Sequence, residues 1–71
     1  MTLTNELEAV IKRAGVTKRE IARKLGLSEM GLYKKIHNET EFKASEIMAL
    51  SQLLNLLPPE RDAIFFAAIS D

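Results

Sequence analysis

Eight side chains between Lys18 and His37 carry the chemistry this sequence offers. Six of them, Ser28, Glu29, Met30, Tyr33, Lys34 and His37, are spaced to lie near the start and on the outward face of one helix. They supply a hydroxyl, a carboxylate, a thioether, a phenol, an ammonium and an imidazole, a set suited to recognition rather than to making or breaking bonds. Lys18 and Arg19 add two cations at the start of the preceding helix. No catalytic arrangement accompanies them. His37 has no cysteine beside it, and its plainer reading is a helix-end residue bonding solvent or a last carbonyl. One histidine and no cysteine leave no zinc site and no disulfide. The three glycines are isolated, so no phosphate-cradling loop exists. The carboxylates are scattered at helix starts, where capping accounts for them. The sequence therefore predicts no enzyme, no metal and no cofactor.

Two short helix patterns position these residues. Thr17 and Glu20 have capping-box spacing, in which the hydroxyl takes a backbone N–H three residues on and the carboxylate reaches back. Ile21, Ala22 and Leu25 follow on one helical face. Gly26 stands where a left-handed residue would end that helix. Ser28 can cap the next, with Leu32 and Ile36 one turn apart on its inner face. Ala22 is small, as a steep crossing of two helices requires. Gly31 reads as a close-packing position, or alternatively as a point of backbone approach to a phosphate. Helix, glycine turn, helix over 17–38 is the layout of a helix-turn-helix.

That spacing resembles the phage-repressor (Cro and XRE-like) helix-turn-helix family, through Ile21, Ala22, Leu25, Gly26, Leu27, Ser28 and Leu32. The stretches Phe42-Lys43-Ala44-Ser45-Glu46-Ile47 and Ile64-Phe65-Phe66-Ala67 likewise resemble those of short temperate-phage regulators, so the likeness covers most of the chain. One position departs from it. The family usually places an apolar residue three positions after the one matched by Leu32; here it is Lys35, followed by Ile36. The resemblance implies an all-α, lambda-repressor-like bundle of about five helices in one domain, 1–71. It also implies that the helix at 28–37 enters the major groove while the preceding helix crosses the backbone. Lys18 and Arg19 are then the expected phosphate contacts. Tyr33 and Lys34 reach base edges or phosphates, Met30 packs on a thymine methyl, and His37 can touch a phosphate. Glu29 could accept only from cytosine; its plainer role is to complement the dipole at the helix start.

The remaining helices follow from hydrophobic spacing and punctuation. Leu3, Leu7, Val10, Ile11 and Ala14 mark a first helix at 4–14, ended by Gly15. Val16 stands where a hydrophobic staple belongs. Asn38 can close the third helix in a left-handed conformation, before a loop to Lys43 in which Phe42 is buried. Ile47, Leu50, Leu53 and Leu54 form the inner stripe of a fourth helix at about 44–55, with Met48, Ala49 and Leu57 near its edges. Pro58-Pro59 should stop that helix before Leu57 and start a fifth at Pro59, running to 69. From Ala63 to Ile69 the fifth helix is apolar all round, more than one face of a small bundle can cover. Either Phe65, Phe66 and Ile69 stay outside as an association surface while Ile64, Ala67 and Ala68 face the core, or the reverse holds. The plainer alternative is that the two aromatics wrap the edge of the core.

At 71 residues the chain is one small domain. A core this size buries only roughly 60% of the unfolded surface, so efficient packing or a partner must complete it. No stretch reaches the length of a membrane span and the N-terminus lacks a signal-peptide layout, so a soluble protein of the host bacterial cytoplasm is expected. Net charge is zero, yet between Lys12 and Lys43 nine basic residues face four acidic ones. A solvated surface of mixed sign would account for this blandly, but clustering on the helix-turn-helix favours a phosphate-facing patch. Two functions follow as expectations. One is a transcription regulator of a phage genetic switch, bound as a homodimer to double-stranded operator DNA. The other is an antirepressor, or modulator, that forms a heteromeric complex with the cognate phage repressor through the third helix or through Phe65, Phe66 and Ile69.

Overall fold

A computed structural model describes residues 1–66. They form five helices, with no strand among the described residues: α1 (Thr4–Ala14), α2 (Lys18–Leu25), α3 (Glu29–Ile36), α4 (Ala44–Leu53) and α5 (Pro58–Phe65). The all-helical bundle expected from the sequence is what the chain adopts. α2 packs against α3 and α4, and α5 against α1 and α4.

Local chemistry sets most helix ends. The Thr17–Glu20 capping box forms in both directions, with 3.1 Å from Glu20 N to Thr17 Oγ1 and 3.1 Å from Thr17 N to Glu20 Oε1. The bonds from Thr17, backbone N–H first, hold the Glu20 carboxyl below its ordinary pKa. At the other end of α2, Gly26 takes φ 72° and Leu27 N donates to Ala22 O at 2.8 Å. A side chain there would meet no neighbour, but the left-handed backbone itself disfavours a Cβ.

The core consists of Leu7, Val10 and Ile11 from α1, Ile21 and Ala22 from α2, Leu32 and Ile36 from α3, Ile47, Leu50 and Leu54 around α4, and Ile64 and Phe65 from α5. α1 buries a narrower stripe than its pattern predicts, because Leu3 is half-buried and Ala14 exposed where the helix runs out of the bundle. α4 stops two residues short of position 55. Asn55 turns left-handed (φ 55°) and Leu56 N closes on Ser51 O at 2.8 Å, so the helix ends before the prolines act. Leu53 consequently sits at the rim of the core and Leu57 lies 66% exposed. α5 begins at Pro58 rather than Pro59; both prolines fit its first turn, where backbone N–H groups lack helical partners in any case.

The phase of α5 corrects the expected association surface. Phe65 is buried, and its ring meets Phe42 edge to face at 5.4 Å, so it belongs to the core beside Ile64 and is not free to touch a partner. Phe66, at the helix end, is 37% exposed. Ile69, Ala67 and Ala68 lie outside the described residues. No helix among the described residues is long and apolar enough to cross a membrane.

Candidate nucleic-acid interface

α3 is held from inside by two residues. Leu32 and Ile36 are both almost fully buried, which turns Ser28, Glu29, Met30, Tyr33, Lys34 and His37 into solvent. All six expected readout residues are exposed, Met30 63% and Tyr33 51%: Met30, Tyr33, Lys34 and His37 lie on the side away from the core, and Ser28 and Glu29 at the helix start. Ser28 caps the helix as its position predicts, accepting from Gly31 N at 2.9 Å. A Cβ on Gly31 would lie 3.1 Å from that same hydroxyl and meet nothing else within 4 Å. The close packing at Gly31 is thus against the capping hydroxyl. Further along, the Tyr33 and His37 rings stack with centroids 4.2 Å apart and a 36° tilt. One turn of helix separates them, so the two rings form one continuous aromatic patch.

The cations flanking α3 are unequal. Lys18 Nζ lies 2.8 Å from Glu8 Oε2 of α1, so an expected phosphate contact is already matched by a carboxylate. Arg13 pairs with Glu60. Arg19, Arg23, Lys24 and Lys34 make no ion pair among the described residues, and all four are exposed. The positive character of the motif rests on these.

Lys35, where the sequence departs from the expected apolar residue, is the anchor that sequence reasoning missed. Its Nζ lies 2.8 Å from Glu46 Oε1 and donates to Glu41 O at 3.0 Å. The same Glu46 oxygen accepts from Lys43 N at 2.8 Å, which caps α4. Both side chains are largely buried, 12% and 9% exposed. Burial alone would raise the Glu46 carboxyl, but the bonds from Lys35 and Lys43 outweigh it and leave its pKa lowered. A polar clamp thus ties α3 to the start of α4 where the family pattern would put apolar contact. The lysine at an apolar position, with a glutamate at the third residue of the next helix, was the available signal.

The C-terminal end of α3 is tied to the chain's first residues. Asn38 adopts φ 64°, as its place predicts, and the turn closes through Asn38 N to Lys35 O and Glu39 N to Lys34 O. Its side chain then pairs in both directions with Thr2: Thr2 N donates to Asn38 Oδ1 at 2.8 Å, and Asn38 Nδ2 donates to Thr2 O at 2.9 Å. Thr4 Oγ1 donates to Ile36 O at 2.7 Å, and Leu3 N to Ile64 O at 2.8 Å. Residues 2–4 are therefore a strap joining α3 to the end of α5.

No protein-family model matches this chain, and no curated protein or solved structure matches it significantly.

Proposed function

We propose that this chain is a small transcriptional regulator of the phage-switch kind, binding operator DNA through α3. The observation that carries the reading is the presentation of α3. Leu32 and Ile36 are buried and Lys35 is clamped to α4, which leaves Met30, Tyr33, Lys34 and His37 on the outward side and Ser28 and Glu29 exposed at the helix start. A helix so presented, after a left-handed turn from a helix that begins with two cations, suits insertion into a major groove. Tyr33 and Lys34 reach base edges or phosphates, Met30 offers its thioether to a thymine methyl, and Arg19 supplies the phosphate contact that Lys18 shares with Glu8. Two copies on a two-fold operator would place two such helices in successive major grooves. The test is an anisotropy titration of the purified chain against DNA from its own regulatory region, at low and at physiological salt. Specific binding that survives physiological salt supports the reading; substituting Tyr33 and Lys34 together should abolish it while helicity is retained. Equal, salt-labile binding to unrelated DNA would sink it.

A second reading is favoured by the composition of the same face. Exposed Met30 and Tyr33 beside Glu29 form a surface with apolar area and a carboxylate, and Glu8 neutralises one nearby cation. Such a face fits a protein partner, and a modulator would dock it onto the cognate repressor and change which sites that repressor occupies. Adding the repressor to the titration tests this. A complex that survives in Phe66→Ala but is lost in Met30→Ala/Tyr33→Ala would assign the contact to α3 rather than to α5.

A further inference from the structure

The side chain of Asn38 is not needed to end α3. Closure of the turn uses backbone groups alone, and glycine would adopt φ 64° with less strain than asparagine. The amide does something else. It binds both the N–H and the C=O of Thr2, and Nδ2 lies 3.4 Å from Thr4 Oγ1, which itself donates to Ile36 O. Thr2 is only 6% exposed, so these are the partners that satisfy a buried polar backbone. Through Leu3 N and Ile64 O the same strap reaches the end of α5.

We infer that Asn38 is a positioning residue for DNA readout: by clamping Thr2 it holds the last turn of α3, and with it the stacked Tyr33 and His37, in one orientation against the bundle. The inference rests on the proposed reading of α3 as the DNA-reading helix. Released from Thr2, that turn keeps its internal hydrogen bonds and its Lys35 clamp to Glu46. It keeps the Thr4 Oγ1 bond to Ile36 O but loses both bonds to Thr2, and Tyr33 and His37 lose part of what fixes their direction. Residues 2–4 thereby become part of what sets specificity, although none of them need touch DNA.

The test substitutes Asn38→Gly in the full chain, since glycine preserves the left-handed closure and removes only the amide. Tyr33 is the sole tyrosine and tryptophan is absent, so tyrosine fluorescence and the near-ultraviolet dichroism of that ring report on α3 directly. Measurements are made well below the unfolding midpoint, with helicity checked by far-ultraviolet dichroism. The expected result is native helicity, an altered Tyr33 signal, and operator affinity about fivefold or more weaker at an unchanged salt slope. Either an unchanged Tyr33 signal or operator affinity within about twofold of wild type overturns the inference. If Asn38→Gly fails to fold, Asn38→Asp, which keeps the acceptor for Thr2 N, is read by the same two criteria. If the wild-type chain binds no operator, the DNA reading of α3 falls, and the DNA-independent Tyr33 signal alone decides whether Asn38 positions that face.

Discussion

Replacing Lys35 by methionine isolates the polar clamp between α3 and α4. Methionine retains the length of the stem and deletes the ammonium. Two contacts disappear, the 2.8 Å ion pair with Glu46 and the 3.0 Å bond to Glu41 O. Glu46, at 9% side-chain exposure, keeps only the bond from Lys43 N. Removing one member of a buried pair typically costs about 3–5 kcal/mol, and hydrogen bonds to charged groups about 1.5–3 kcal/mol each. The rim position lets Glu46 regain some water or take up a proton, so about 2–3 kcal/mol is expected. For a domain of this size that lowers the unfolding midpoint by about 10–20 °C. In the background of Glu46→Gln, whose oxygen can still accept from Lys43 N, Lys35→Met should cost much less. The double-mutant cycle in urea should return a coupling of about 1–2 kcal/mol. A coupling below about 0.5 kcal/mol would show the pair to be a solvated contact and would remove the physical reason given for a lysine at an apolar position.

Acid should act through the same residue. Because the folded pKa of Glu46 is lowered, its stabilisation is present above the unfolded value of about 4.3 and is lost as pH falls from there through the folded value. A series of urea melts should show stability falling below about pH 5, with a shallower fall in Glu46→Gln. The two phenylalanines of α5 should separate cleanly in thermal melts: Phe65→Ala should cost about 3–5 kcal/mol and Phe66→Ala under about 1 kcal/mol, and equal costs would contradict the phase of the helix. If DNA is bound, Arg19→Ala should reduce the salt slope by about one unit. Lys18→Ala should reduce it by less, because DNA must first displace Glu8; equal reductions would mean that the Lys18–Glu8 pair does not persist in solution.

Helix starts and stops were legible because their chemistry is local. Thr17 with Glu20, Ser28, Gly26 and Asn38 each act within a few residues, and each does in the structure what its spacing predicts. The outward face of α3 was legible for a related reason: Leu32 and Ile36, one turn apart, leave no choice of phase. α5 had no such constraint. A run that is apolar on every side carries no phase, so nothing local distinguished Phe65 from Phe66; packing against Phe42, far away in sequence, decides it. The two polar ties on α3 were hidden differently. Lys35 finds Glu46 across a loop, and Asn38 finds Thr2 across three helices, and no periodicity marks either pair. Asn55 was readable and was overshadowed by the neighbouring prolines. As an asparagine between apolar residues at a helix end, it carried the same signal as Asn38.

The strap has a consequence for the order in which the molecule assembles. Left-handed residues at 15, 26, 38 and 55 let α1 to α4 stop where their own sequences dictate, without waiting for tertiary contacts. Leu3 and Ile64, by contrast, can meet only when nearly the whole described chain has been drawn into a loop, and the entropy of closing that loop is recovered only once the helices between them have packed. The knot between the first residues and the end of α5 is therefore expected to tie late and slip early. In native-state hydrogen exchange the Leu3 amide should open at lower free energy than those of Leu27 and Leu32. The outward-facing α3 would then be fastened, at its far end, by the last stitch the fold makes.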